Sequence, residues 1–297
     1  MPFTERLRED TRLLRTYLRR KPDDFAWIFH DLDHWEDVTK RWGGKPFSRL
    51  RVFEIGFGAR PYRLLAMHAL GADVYGVDAE APLLTGSIAE YRRVLRTNGW
   101  ERLVKTMVRH LLFDRRERAA FQHALLRHGL TPPVPEPRRF LIGDAAECEP
   151  PGRFDVIYSF AVFEHIERSS LERLVPRMAD WLNPKGLALI IPDVFTGLHG
   201  GHLLEWDADT FDLPIERRSE PWEHLRQRRY HANTTLNEMT RSEYEALFST
   251  HFDILEVIDP PRGRAEAFLT PEIRAELSDY TDEDLLDENP LYVLRPR

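Results

Sequence analysis

The sequence predicts an α/β fold in which seven short strands, most of them parallel, form the middle layer of a three-layer sandwich. Three observations predict it. A strand, a glycine turn, a helix and a second strand follow one another between Val52 and Asp78. Five apolar runs alternate with helical patterns, as a chain of β-α-β units requires. The fifth run, Leu187 to Ile191, contains no polar residue, as in a parallel strand buried on both faces.

Apolar residues recur at helical spacing from residue 4 to 40: Leu7, Leu13, Leu14, Tyr17 and Leu18, then Phe25, Trp27, Ile28, Leu32 and Trp35. Lys21-Pro22 interrupts them, so two helices are expected in an N-terminal extension, 1–48. Val52 to Ile55 reads as a strand running into Gly56-Phe57-Gly58, followed by a helix from Tyr62 to Leu70 that Gly71 closes. Asp73 to Asp78 is the next strand, joined by a right-handed crossover. Residues 83–129 are helical in pattern and end at the proline cluster Thr131 to Pro137. They are longer than one crossover needs and read as a helical insertion, 83–138. Arg139 to Asp144 and Phe154 to Ser159 are strand-like, with polar groups at their C-terminal ends. A helix over 169–182 stops at Asn183-Pro184-Lys185-Gly186 and leads into the Leu187 run. Periodicity then fails over 193–240, read as a substrate lid, before a helix at 241–250 and a strand at Phe252 to Ile258 close a core of 49–260. The remainder, 261–297, reads as an acidic helical segment and an edge strand, Leu291 to Leu294. No internal repeat is present.

Composition narrows the function. With 297 residues, 42% apolar, the chain can bury a substantial core. A net charge of −7 argues against a general nucleic-acid binder, so no nucleic-acid partner is expected. Cys148 is the only cysteine, which excludes an internal disulfide and a multi-cysteine zinc site and fits a reducing compartment. Neither a membrane span nor a signal core is found, and a cytoplasmic location without membrane partners is expected. Homo-oligomerisation stays open.

The glycine turn carries the first chemistry. Glycines between a strand and a helix let backbone approach a ligand beside unpaired helix N–H groups. Gly56-x-Gly58 alone suits any nucleotide. A dinucleotide site would want a third glycine where Pro61 stands, which disfavours NAD.

Glu54-Ile55-Gly56-Phe57-Gly58, with Asp78 ending the next strand, resembles the first motif and following acidic position of class I S-adenosylmethionine-dependent methyltransferases. Three further stretches extend the likeness: Gly143-Asp144-Ala145; Phe154 to Ser159 followed by Val162-Phe163-Glu164-His165-Ile166; and Trp181 to Ile191 with its Leu-x-Pro-x-Gly turn. The resemblance covers roughly residues 50–195 and departs at Arg60, where many members have glycine. It implies a Rossmann-like fold and S-adenosylmethionine as cofactor. Asp78 would accept from the ribose hydroxyls, Asp144 and the Ala145 N–H would meet adenine, and Glu54 would orient the loop or the methionine amino group. Gly56 and Gly58 would admit the methionine tail, and Ser159 completes the expected cofactor set.

Methyl transfer needs alignment of the acceptor and, for a hydroxyl, removal of its proton. Three histidines are candidates for that base. His165 follows Glu164 after the fourth strand; His199 and His202 follow the fifth, near Asp193, Glu205 and Asp207, with Gly200-Gly201 letting the chain bend. The His-x-x-His pair near these carboxylates could provide a base or hold a divalent metal, but it lacks the helical His-Glu-x-x-His pattern, and no metal ligand is assigned. Trp206, Phe211, Trp222, Tyr230 and His231, with Arg217, Arg218, Arg226, Arg228 and Arg229, supply a lid suited to a sugar or another polar small molecule. The stretch His231 to Asn237 resembles methyltransferases of glycan and secondary-metabolite pathways. O-methylation of such a substrate is the favoured reading. A protein or RNA methyltransferase, and a non-catalytic nucleotide-binding protein, are the alternatives.

Overall fold

Parallel pairing in the N-terminal half sets three strand ends side by side. In the computed structural model, which describes residues 23–43, 45–203, 220–229, 232 and 234–297, β1 (Arg51–Ile55) pairs with β2 (Asp73–Asp78) from Arg51 opposite Asp73 to Ile55 opposite Val77. β2 pairs with β3 (Phe140–Ile142), placing Asp78 opposite Ile142, and β1 pairs on its other side with β4 (Phe154–Phe160). With β5 (Leu182–Ile191), β6 (Phe252–Ile258) and β7 (Leu291–Pro296) they form a seven-stranded sheet of order β3-β2-β1-β4-β5-β7-β6, mostly parallel with one antiparallel pair. The expected seven strands are all present. Among the described residues no helix is long and apolar enough to cross a membrane.

Two placements differ from expectation. β7, expected at an edge, lies between β5 and β6. Leu291, Tyr292, Val293 and Leu294 are all buried, as apolar residues in consecutive positions demand when both faces are covered. The acidic segment before it forms three short helices rather than one, and β5 begins at Leu182, so the Asn183-Pro184-Lys185-Gly186 turn lies within its bounds.

The described residues divide into two compact units. One comprises 23–159, 176–189 and 294–297. Here α1 (Ala26–Gly43) buries Ile28, Phe29, Leu32, Trp35 and Val38 on one stripe. Trp35 lies 4.3 Å from the Tyr158 ring, and Phe53 is held between Phe154 and Trp181. α2 (Tyr62–Ala69) connects β1 to β2. The insertion is helical as expected. Ser87 and Glu90 form a capping box at the start of α3 (Ile88–Arg109), which bends at left-handed Gly99 and passes through a wide turn, His110–Asp114, into α4 (Arg115–Arg127). The first expected helix, residues 4–20, lies outside the described residues.

The other unit includes 160–175 and 190–293. α5 (Arg168–Trp181) leads out of it, and α6 (Glu223–Arg226), α7 (Arg241–Phe248), α8 (Gly263–Phe268), α9 (Pro271–Glu276) and α10 (Asp282–Leu286) lie within it. The segment after 261 is no appendage. Ala265, Ile273, Leu277, Leu285 and Leu286 share a core with Leu198 and Trp222, because short amphipathic helices cannot bury their apolar sides alone. Buried Asp287 anchors it, accepting from Arg241 and Arg262 at 2.8–3.0 Å.

Candidate active site

The cofactor half is built on the ends of β1 and β2. Gly56 and Gly58 have φ of 81° and 66°, which L side chains rarely adopt, and a Cβ at Gly58 would meet nothing within 4 Å. Open space thus adjoins the turn. Asp78 holds the loop: its Oδ2 accepts from the Gly58 N–H and its Oδ1 from the Glu80 N–H, both at 2.7 Å. Each oxygen retains a lone pair for a ligand hydroxyl. Burial pushes the Asp78 carboxyl up to about 6, against the pull of the Gly58 N–H. Glu54 is 4% exposed, and its Oε2 has no partner among the described residues. Burial pushes Glu54 up to about 8, opposed by the charge of Arg63. A buried carboxyl with an unpartnered oxygen fits the ammonium of a zwitterionic ligand, and the strand-end carboxylate fits its ribose diol.

Asp144 follows β3, is exposed, and accepts from the Ala146 N–H at 2.8 Å, starting the turn Ala145–Glu147. Its second oxygen and the Ala145 N–H are the groups expected to meet adenine. The Ser159 side chain turns into the sheet. It is 1% exposed and its hydroxyl donates to Ile55 O at 2.9 Å. That bond ties β4 to β1 just before the glycine loop. Cys148 is no nucleophile, since burial pushes its thiol up to about 11.

Arg60 explains the departure from glycine. Its guanidinium bonds Asp114 at 2.8–2.9 Å and pairs with Glu117, so the loop after β1 is fastened to the helical insertion. The sequence offered no signal for this pairing.

A second cluster of candidate residues lies after β4 and β5, within the unit that includes 160–175 and 190–293. His165 ends the short turn Phe163–His165; its Nδ1 is 3.0 Å from Thr235 O, and because a carbonyl only accepts, Nδ1 carries the hydrogen. In the neutral ring Nε2 then has the lone pair, and it faces Glu164 Oε1 at 3.5 Å. Glu164 is buried; its Oε2 accepts from the Asp193 N–H, while Oε1 has no hydrogen-bond partner. Burial and then the charge of Asp193 push the Glu164 carboxyl up to about 8. His202 Nε2 lies 2.9 Å from Asp193 Oδ2, off the line of a hydrogen bond. Burial works to lower the His202 pKa, but Asp193 and Glu164 outweigh it and leave the imidazole raised. Asn289 donates to the other Asp193 oxygen.

The chain reaches this geometry at a conformational cost. His202 has φ of 48°, and Cβ atoms at Gly200 and Gly201 would collide with Phe195 O and with His224. His224 donates from Nε2 to Phe195 O at 2.7 Å, and burial lowers its pKa to about 4, so it is neutral.

Two expected partners are exchanged. His202 meets His165, ring centroids 5.0 Å apart, and the ligating atoms of Glu164, His165 and His202 gather within 4.8 Å of one another. His199, expected to pair with His202, is outside that group and lines an adjoining cavity of about 270 Å³ with Asp193, His202, Glu223 and His224. Asn237, whose part sequence reasoning missed, donates to Phe163 O and Ile166 O at 2.8 and 2.9 Å and accepts from the Met239 N–H. It pins the Glu164-His165 turn.

The described part of the lid is less free than expected. Trp222 is fully buried in the core, Arg226 bonds Glu220 and Glu276, and Arg229 bonds Glu223. Trp206, Phe211, Arg217, Arg218, Tyr230 and His231, with Glu205 and Asp207, lie outside the described residues.

A strand-end ribose acceptor, an open glycine turn and a buried carboxyl, on a sheet of this order, define the class: an S-adenosylmethionine-dependent methyltransferase of class I. The family model described as a methyltransferase domain matches residues 27–253, and the chain belongs to that family. No curated protein matches the sequence significantly. Among solved structures, a Pyrococcus horikoshii protein is similar at 14% identity and TM-score 0.46, covering 93% of this chain and 94% of that one. The magnesium protoporphyrin IX methyltransferase of Synechocystis, with bound SAH, aligns at 13% identity and TM-score 0.45 over 96% and 93% of the two chains. An O-methyltransferase from a trans-AT polyketide synthase multienzyme of Brevibacillus brevis aligns at 13% identity and TM-score 0.42 over 94% and 80%.

Proposed function

We propose that the protein transfers a methyl group from S-adenosylmethionine to a hydroxyl of a polar small molecule, a sugar or similar polyhydroxylated compound. The observation that carries this reading is the clustering of His165, His202, Glu164 and Asp193 after β4 and β5. Imidazoles oriented by a carbonyl and a carboxylate suit removal of a hydroxyl proton, whereas a softer acceptor such as a thiol needs less help.

Bound S-adenosylmethionine supplies a methyl group on a sulfonium. Glu54, Gly56 and Gly58 would receive its amino-acid end, Asp78 its ribose, and Asp144 with Ala145 its adenine. On the acceptor side, His165 or His202 takes the hydroxyl proton at Nε2. The O–CH₃ bond forms as the C–S bond breaks, and that electron pair stays on sulfur. The Nδ1–H of His165 on Thr235 O holds the ring in the tautomer that can accept. No nucleic-acid or membrane partner enters the reading.

Calorimetric titration with S-adenosylmethionine and with NAD tests the cofactor. Binding of the first at millimolar affinity or better is expected, and its absence overturns the proposal. A screen of hydroxylated metabolites and glycans for methyl transfer tests the acceptor; methylation confined to proteins or RNA would replace it with that alternative.

A further inference from the structure

We propose that Glu164, His165 and His202 hold one divalent transition-metal cation through Glu164 Oε1, His165 Nε2 and His202 Nε2. This goes beyond the sequence reading, which found only the weak His199-x-x-His202 spacing and assigned no metal ligand. The structure brings a different set together: two imidazole nitrogens and one carboxylate oxygen, all within 4.8 Å of one another. Ligand bonds of about 2.1 Å need them somewhat closer, a shift that side-chain rotation supplies.

Four observations point to a ligand here. Glu164 is 3% exposed, yet Oε1 has no hydrogen-bond partner. A buried orphan oxygen is costly unless something else satisfies it. His202 Nε2 is also buried and without an aligned hydrogen bond. His165 shows the arrangement of a metal-binding imidazole, with its far nitrogen spoken for by Thr235 O and the near one presenting a lone pair to the cluster. Finally, the only ion-pair partners of Glu164 and Asp193 among the described residues are the two imidazoles, so no lysine or arginine occupies the place a cation would take.

Donor chemistry selects the cation. Imidazoles with a carboxylate suit zinc, iron, cobalt, nickel or manganese, while an all-oxygen set would suit magnesium or calcium. Three protein ligands leave positions open for an acceptor oxygen. The cation's use in catalysis rests on the methyl-transfer reading, whereas its binding does not. Bound to the cation, the acceptor hydroxyl loses its proton more readily. The imidazoles then act as ligands rather than bases, and the proton passes to Asp193 Oδ2 or to water.

The test is titration of the untagged, full-length protein with cobalt(II), followed by visible absorption. Saturation at one equivalent is expected. Glu164→Gln and His165→Gln should each weaken binding at least tenfold, and His199→Ala should leave it unchanged. Circular dichroism reports whether each variant folds; should Glu164→Gln fail, His165→Gln decides, since that side chain is 34% exposed. Absence of saturable binding, or binding that neither substitution weakens, or a loss in His199→Ala equal to that in His165→Gln, overturns the proposal. Titration of the same protein with S-adenosylmethionine separates the two readings. Cobalt binding without cofactor binding refutes methyl transfer and leaves the cation site standing, and the converse refutes the cation site alone.

Discussion

His165 and His202 meet edge to face, with ring centroids 5.0 Å apart and planes at 82°. In the proposed reading the two rings share a proton or a cation and work as a unit. Once an acceptor is identified, His165→Ala and His202→Ala should each lower kcat with little change in cofactor affinity, and the double substitution should cost little more than either alone. Additive losses would show two independent groups. His199→Ala combined with either should be additive.

Asp78 carries the cofactor's ribose in this reading. Asp78→Ala removes a charged acceptor worth about 1.5–3 kcal/mol per hydrogen bond, roughly a tenfold to hundredfold loss in affinity by calorimetry. Its carboxyl sits near 6 because it is buried, so it is protonated as the pH falls through that value. Affinity for S-adenosylmethionine should therefore fall from pH 7.5 to 5, and Asp78→Asn should bind weakly at all pH values. An affinity that is flat across that range in the wild type would remove Asp78 from the site.

Glu54 links pH to stability with the opposite sign from a salt-bridged acid. Its folded-state pKa, about 8, lies above that of the unfolded chain, so the folded protein holds a proton that the unfolded chain releases. That contribution is present at low pH and is lost as pH rises from the ordinary carboxylate range through about 8. The melting temperature of the cofactor-free protein should decline over that window, and Glu54→Gln should flatten the decline and raise Tm at its upper end. A Glu54→Gln profile parallel to the wild type would contradict the burial argument.

Asp114 joins the loop after β1 to the helical insertion through Arg60, and Arg109 Nε lies 3.6 Å from its other oxygen. Because Asp114 is buried, Asp114→Ala strands cationic partners and should cost about 3–5 kcal/mol in denaturant unfolding. Arg60→Ala, at a more exposed side chain, should cost less. If Asp114→Ala unfolds at the wild-type denaturant midpoint, the fastening is ornamental.

Asn237→Ala removes the side-chain donor to Phe163 O and to Ile166 O and should cost about 1–3 kcal/mol. Amide exchange is the specific readout. The His165 and Ile166 N–H groups, bonded to Val162 O and Phe163 O, should exchange faster, while those of β1 are unchanged.

The cofactor half was legible in the sequence because its parts are contiguous. A strand, two glycines, a helix and a strand-end acid occupy Val52 to Asp78, and local backbone rules place them without knowledge of the rest. The turn of the Ser159 hydroxyl to Ile55 O is not legible in that pattern, because the choice is made across strands. The pairing of His165 with His202 was hidden for the same reason: adjacency in the chain favoured His199, whereas the two rings that meet come from segments 37 residues apart, the second at a left-handed backbone position. Arg60 with Asp114, Asn237 with Phe163 O, and the interior place of β7 are likewise long-range, so periodicity and spacing carry no trace of them.

The place of β7 has a consequence during synthesis. Among the described residues β6 has β7 as its sole neighbour in the sheet, and β7 follows it in the chain. While the chain is still emerging from the ribosome, β6 therefore waits with one ladder of backbone groups unmatched, and with Phe252 lacking its final neighbours. A nascent chain halted before Leu291 should present that edge to chaperones or to its own copies, and only release of β7 retires it.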